Sequence, residues 1–539
     1  MAWAAPAASR RRTLPGPLQR GAPLPALSSS MACPSHERVP DWLTPKPSGD
    51  AMTRRGRRLV WLLLLGFAAV TWFGVPHGIG SSWRECDTQA IARNFLLDGF
   101  DPLRPRVDWR GDTDGAVECE FPLYQMAIAG VLAAIGDVHA EWPGRLLALL
   151  SLLVGALALH RLLEWRSGPL GALAGTVVFL CSGSASLLAT RVMPDATSLA
   201  FTAIAMLAFT RQLGSGSPAA LLVAVASLAL AGLQKPLALQ VGIVWFGWAA
   251  LLVKRRLLDP RLWLGFAATM GIVTVWLVHG AHIHAETNLT FGVVSGGDTK
   301  FPDLPHLVSI PTWVELLRTT ATFGCSVFGM LAFVVLALRR RLDRADVVLV
   351  LAVALGLFVS LRYSHTRDLG PHYHSCSAIA GAWLVARAWP ANAGRWAWLA
   401  LLGAAALHGA WRLRDERGMR IEVNRAPIVA DARAASGAIA PGERVVVRSE
   451  KTYEDHAWHR PQNFEDPRFF FLTNTHGWVL ANDAFDVVHL AQLRSAGADF
   501  VYDQTPETTD PAVTRWLAEH GEVVVQGEGG IVHRLHARR

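Results

Sequence analysis

The chain has 539 residues, of which 51% are apolar and only 17% charged, with 21 Trp and a formal charge of +8. Soluble globular chains carry roughly 25% charged residues, so the deficit excludes an ordinary soluble domain and indicates an α-helical multi-pass membrane protein. The positive charge is mostly Arg at candidate helix ends, and no basic patch interleaved with aromatics supports a nucleic-acid partner.

Residues 1–58 read as a disordered basic tail rich in Pro, Ala and Arg. Met52 opens "MTRRGRRLVWLLLLGFAAV", a credible beginning in its own right. Residues 1–51 therefore read either as a transit peptide or, preferably, as the product of a start chosen too far upstream. The run "RRGRR" places the amino end in the cytoplasm. No small-residue cleavage site follows the first apolar run, which makes it an anchored helix.

Candidate spans follow at 59–76, 143–163, 169–190, 195–211, 219–233, 237–253, 261–279, 323–338, 346–361, 376–389 and 395–411, eleven in all. Several are shorter than the ~20 residues of a full crossing. "KRRLLDPR" (254–261), "RRRLDR" (339–344) and the loop 387–395 read as cytoplasmic, which puts 280–322, 362–375 and 412–539 outside. The first loop, 77–121, is also outside, so an odd number of crossings must precede Lys254. That parity makes the further apolar run 122–136 a surface helix rather than a span. It also gathers the turns "RVMPD" (191–195) and "LQKP" (233–236) on the same face as the acidic first loop.

The composition changes after residue 411. "GERVVVRSEKTY", "GADFVYDQ" and "GEVVVQGEGGIVHRL" read as short strands, "DVVHLAQLRSAG" and "DPAVTRWLAEHG" as helices with Asp before and Gly after. The domains expected are thus a tail (1–58), a transmembrane domain (59–411, with 77–142 as its first external loop) and a small α/β domain (412–539) without a catalytic motif of its own.

The chemistry-bearing residues collect in the external turns: Arg84, Glu85, Asp87, Arg93 and Asn94, then Glu118, Glu120 and Tyr124, then Arg191 and Asp195, Lys235, and "RYSHTRDLGPHYH" with Arg362, Arg367, His372, Tyr373 and His374. Ionisable groups near a membrane are costly and commonly functional. The cations suit a phosphate or diphosphate head group; the acids suit a base acting on an incoming hydroxyl or amine. Lys235 is the one Lys between Lys46 and Lys254. Against these stand plain alternatives: a helix-end Lys, Asp195 as a helix cap, an interfacial aromatic cluster at 372–374, and a solvated loop at Glu85 and Asp87.

On "RECDTQAIARNFL", "EFPLY", "RVMPD", "LQKP" and the late "HYH", over roughly 59–411, the chain resembles the multi-spanning C-type glycosyltransferases that use a polyprenyl-phosphate-linked sugar, notably protein O-mannosyltransferases and the bacterial aminoarabinose transferase. The resemblance implies two surface helices in the first external loop and a single displacement with inversion. It implies Asp87 as the acceptor-contacting base, with Glu85 the lesser candidate, and Glu120 as a second functional acid. Phe121 stands where relatives carry a Lys, so that phosphate contact is either missing or moved to Lys235.

The expected activity is transfer of a hexosyl or pentosyl unit from a polyprenyl-phosphate donor to a protein, lipid or glycan acceptor on the outer face of a bacterial plasma membrane. A lipid flippase or secondary transporter is the alternative, disfavoured because the charges gather on one side. No cofactor is expected. A divalent metal, through "GDTDG" (111–115) or His282, His284 and Glu286, is the lesser alternative. Cys86 and Cys119 share the external loop and are expected to pair, which would bring Glu85 and Asp87 beside Glu118 and Glu120 and raise one acid toward neutrality.

Overall fold

The computed structural model of the chain describes residues 40–43, 54–77, 82–295, 301–366, 370–440, 442–452 and 466–537. Its first helices are α1 (Arg54–Gly74), α2 (Trp83–Leu97), α3 (Leu123–Ile135), α4 (Trp142–Leu180), α5 (Gly183–Thr190), α6 (Asp195–Ser215), α7 (Pro218–Gln234) and α8 (Val241–Leu252). Then come α9 (Lys254–Leu257), α10 (Pro260–Thr287), α11 (Leu304–Val308), α12 (Ile310–Thr322), α13 (Ser326–Leu338), α14 (Arg344–Val359), α15 (Leu361–Ser364), α16 (Ser375–Ala388) and α17 (Arg395–Asn424).

Local chemistry sets many of these boundaries. Ser217 accepts a hydrogen bond from the Ala220 amide ahead of α7, and Asp259 caps α10 just before Pro260, where proline's missing N–H is harmless. α4 is interrupted at Gly168, whose φ of 75° is left-handed, followed by Pro169. The expected spans 143–163 and 169–190 meet at that kink, and the second breaks again before Ser182, which caps α5.

Among the described residues three helices are long and apolar enough to cross a membrane: Gly56–Gly74 of α1, α4 and α10. α12 and α13 pass that test together but are bent by 103°. The expected eleven crossings are thus more than length and composition establish; α7 and α8 are shorter apolar helices. α3, at 13 residues, spans about 20 Å and falls short of a ~30 Å hydrocarbon core.

Two further expectations change. Part of the stretch expected to be disordered is packed: Trp42 meets Trp248 and Trp383 edge-on at 5.9 and 6.0 Å, the Arg166 guanidinium lies 4.6 Å from its ring, and Leu43 is buried. The last apolar run does not stop at 411, because α17 continues to Asn424, so the boundary drawn at 412 falls inside a helix.

Beyond α17 lie α18 (Pro427–Ala435), β1 (Arg444–Arg448), α19 (Arg468–Thr473), β2 (His476–Leu480), α20 (Val487–Ala496), β3 (Phe500–Asp503), α21 (Pro511–His520), β4 (Gly521–Gln526) and β5 (Ile531–Leu535). The strands form one sheet in the order β2-β1-β3-β5-β4, parallel across β2-β1-β3 and antiparallel across β3-β5-β4. Alternation along β1 sends Val446 to a core with Leu490 and Leu517 of α20 and α21. It sends Val445 and Val447 to a different core shared with Ile91 and Phe95 of α2 and with Val107, Trp109 and Cys119 of the first loop.

The first loop also docks on the sheet by its backbone. The Gly111 amide donates to Gly477 O at 2.8 Å and the Gly477 amide to Asp108 O at 3.2 Å, along the outer edge of β2. Asp112 accepts from Trp478 Nε1 at 3.0 Å, and Asp114 pairs with Arg104 at 3.3 Å. The "GDTDG" acids therefore serve as a docking turn, while Glu286 pairs with Arg104 at 2.8 Å. Among the described residues no group of three or more His, Cys, Asp or Glu is placed to hold a metal.

Candidate active site

α2 carries the acidic motif, and helical geometry divides it. Positions 84 and 87 share a face one turn apart, whereas 85 and 87 point about 200° apart. Arg84 reaches Glu120 in an ion pair and lies 4.2 Å from the centroid of Phe291. Asp87 is fully buried and accepts from Trp109 Nε1 at 2.9 Å. Glu85 faces the other way, where Arg420 Nη1 pairs with it at 2.8 Å and Arg191 Nη1 at 3.5 Å.

The turn between α5 and α6 and the turn after α7 meet in space. Lys235 Nζ lies 3.0 Å from Asp195 Oδ1, and His372 Nδ1 lies 4.0 Å from the same oxygen. The ammonium also sits 5.6 Å from the Tyr373 ring, which stacks on Tyr363 at 6.1 Å. Four distant segments thus converge on two cation–carboxylate pairs, Arg84–Glu120 and Lys235–Asp195, bordered by His372 and Tyr373. The cations are its accessible members, with side chains 24% and 20% exposed, against 3% for Asp195.

Burial alone would raise the Glu120 carboxyl, but the charges of Arg84 and Lys235 outweigh it and hold it below the ordinary carboxylate range. Burial likewise works to lower Lys235, and Asp195 and Glu120 reverse it, so the ammonium persists at any physiological pH. Burial pushes His372 down to about 4, against the opposing pull of Asp195, leaving a neutral imidazole near pH 7. Tyr373 is raised, chiefly by burial, and stays a protonated donor.

Other candidates have structural work. Tyr124 is buried with its hydroxyl on Gly144 O. His374 is buried, its Nε2 3.0 Å from Ser364 O. Glu118 accepts from the Val294 amide at 2.9 Å and from the Thr290 hydroxyl, tying that segment to the first loop. Arg93 and Asn94 both engage Asp108, at 2.5 and 2.9 Å. Arg362 is half-buried on α15 and its charge is felt at Asp303. Arg367 lies outside the described residues.

The expected bridge between Cys86 and Cys119 does not form: both are buried thiols outside any disulfide. Cys86 packs into the core of the helical bundle and Cys119 into the core shared with the sheet, because the helical turn of α2 aims its side chain away from the loop. The acid-against-acid arrangement built on that bridge is replaced by acid-against-cation pairs, which depress rather than raise Glu120.

Sequence reasoning missed Glu416 and Arg420. Their signal was a stripe: Leu401, Ala405, Gly409, Arg412, Glu416 and Arg420 are the buried residues of α17, spaced three or four apart, so one helical face runs from apolar into charged residues. Trp109 and Phe291 carried no comparable pattern.

A family model described as dolichyl-phosphate-mannose-protein mannosyltransferase matches residues 121–279, which include Asp195 and Lys235. Among solved structures, ArnT from Cupriavidus metallidurans in the apo state aligns with a TM-score of 0.58 at 15% identity, over 88% of this chain and 98% of that one.

The chain resembles the C-type glycosyltransferases.

The C-type likeness extends to the same Cupriavidus metallidurans protein bound to undecaprenyl phosphate, with a TM-score of 0.57 at 15% identity over 89% of this chain and 98% of that one. It extends also to an Archaeoglobus fulgidus oligosaccharyltransferase tethered to an acceptor peptide, with a TM-score of 0.51 at 9% identity over 90% and 74% of the two chains. At these identities the matches show a shared C-type fold. No curated protein matches the sequence significantly.

Proposed function

We propose that the chain is an integral-membrane glycosyltransferase that moves a sugar from a polyprenyl-phosphate donor to an acceptor on the outer face of a bacterial plasma membrane. The amino end would be cytoplasmic and the carboxyl-terminal α/β domain external. The observation that carries the reading is the pair of partly accessible cations, Arg84 and Lys235, each resting on its own carboxylate. An undecaprenyl phosphate bound to the Cupriavidus metallidurans relative is the kind of anion they would receive.

When the donor phosphate enters, Arg84 and Lys235 exchange a carboxylate for a phosphate oxygen. They then stabilise the negative charge that grows on the departing polyprenyl phosphate. The same exchange releases Glu120 from its ion pair. It becomes the carboxylate best placed to take the proton of the acceptor hydroxyl or amine as the nucleophile attacks the anomeric carbon. Before the donor arrives Asp195 keeps Lys235 aimed, and the Tyr373 hydroxyl remains a donor throughout. Asp87, enclosed under Trp109, fits a role in holding α2 to the first loop better than the role of base.

The test is transfer of label from polyprenyl-phosphate sugars to envelope acceptors by purified protein. Glu120→Gln is expected to lower kcat by about 10²–10⁴-fold, the usual worth of a general base. Lys235→Met is expected to raise the donor KM, and Asp87→Asn to cost less turnover than Glu120→Gln. Full turnover in Glu120→Gln with none in Asp87→Asn would reverse the assignment of the base.

A further inference from the structure

We propose that Arg420 is a positioning residue: from the far end of α17 it ties α2 to the end of α5 and thereby sets the spacing between the two cation–carboxylate pairs. The consequence for turnover rests on the transferase reading; the tie itself does not.

Arg420 is almost completely enclosed, with 2% of its side chain exposed, and it grips two elements at once. Its Nη1 lies 2.8 Å from Glu85 Oε2 and its Nη2 donates to Glu85 Oε1 at 2.9 Å, a forked contact with α2. The same Nη2 donates to the carbonyl of Thr190, the last residue of α5. Glu416, one turn earlier on α17, accepts from Arg191 Nε at 2.7 Å and stands 3.7 Å from Arg420 Nε. Two arginines and two glutamates therefore close a mostly buried quartet whose formal charges cancel, with Arg145 close enough to feel three of them. Burying charges is unfavourable unless each is met by an opposite, and here each has one within 4 Å.

Both elements in the quartet lead directly into the site. Glu85 is the neighbour of Arg84 on α2, and Arg191 begins the turn that ends at Asp195. Any slack between α2 and the 190–195 turn would separate Arg84–Glu120 from Lys235–Asp195, and a phosphate needs both cations together. Its contacts with Glu85 and Thr190 carry its effect toward the site.

The planar fork matters as much as the charge, since Lys cannot span two oxygens and a carbonyl in the same way. The experiment compares Arg420→Lys, Arg420→Gln and the double variant Glu85→Gln/Arg420→Gln in the full chain. Two measurements are made: hydrogen exchange over residues 186–194, and kcat with donor KM alongside melting temperature. Exchange in that segment is expected to quicken in all three variants while α7 stays protected. A displaced site is expected to lower kcat on the order of 100-fold. Removing both charges should restore the melting temperature lost in Arg420→Gln, because Arg191 is no longer left to balance both Glu85 and Glu416, yet leave kcat low. Unchanged exchange at 186–194 in Arg420→Lys and Arg420→Gln would overturn the proposal, as would kcat that recovers in step with the melting temperature. Absence of transfer by the unaltered protein would instead count against the transferase reading, and the exchange measurement would still decide the tie.

Discussion

Glu85, Cys86 and Asp87 are consecutive in sequence, and a reading of composition alone treats them as one acidic spot. The α-helix separates them: Glu85 goes to Arg420, Asp87 to Trp109, and Cys86 into the bundle core. The same residues show what a sequence can and cannot disclose. The convergence of Glu120, Asp195 and Lys235 was legible because each lies at the end of a hydrophobic run, where counting crossings assigns a side. The partner of each charge was not, because choosing Arg420 for Glu85 requires a side-chain direction and a contact 335 positions away in the chain. The thiols give a direct check. Burial, reinforced by neighbouring carboxylates, raises both Cys86 and Cys119 well above the ordinary thiol range, so they are protonated and poorly nucleophilic at neutral pH. Neither is expected to alkylate in folded protein, and both should alkylate after denaturation without reductant. Recovery of a peptide pair joined through their sulfurs would contradict the structure.

The 370–374 turn, between α15 and α16, is the element whose stability depends most plainly on pH. His372 and His374 are both pushed down to about 4, each chiefly by burial. Their folded values lie below the ordinary 6.5, so the unfolded chain takes up the protons first. Stability is therefore complete above about pH 6.5 and declines as pH falls toward 4, by an amount on the order of 2–3 kcal/mol for each ring at most. Melting temperature measured from pH 7.5 down to 4.5 should fall across that window, and the slope should flatten in a His372→Gln/His374→Asn variant. An equal slope in both proteins would assign the acid sensitivity elsewhere. Elements with strong local signals were found where the sequence put them: α6 begins at Asp195, and β1, β3, β4, β5, α20 and α21 coincide with the expected strands and helices. β2 was passed over because "HGWVL" is five residues long and contains Gly, too weak a pattern without the neighbour that pairs with it.

For the molecule as a whole, the mostly helical body with a small sheet near its carboxyl end followed from composition, but the number of crossings did not. Kinks at Gly168 and between α12 and α13 divide apolar runs into helices that do not correspond one to one with crossings. Nor did the sequence reveal that α2, the first loop and the sheet share a core, since that core is assembled from Ile91, Trp109 and Phe500, which are far apart in the chain. The contact between the loop and β2 has a consequence for how the protein behaves outside its membrane. A strand at the border of a sheet invites another chain to add to it. At β2 the Asp108–Gly111 segment occupies part of that border. At the opposite border the register shift between Val523 and Val525 interrupts β4. On heating in detergent, peeling the loop from the sheet would unmask β2 while the helices are still intact. Light scattering should then rise at a lower temperature than helical circular dichroism falls, with the gap widened in Trp478→Phe, which loses the indole bond to Asp112. Coincident transitions in both proteins would show that the loop does not act as a guard against strand-by-strand self-assembly.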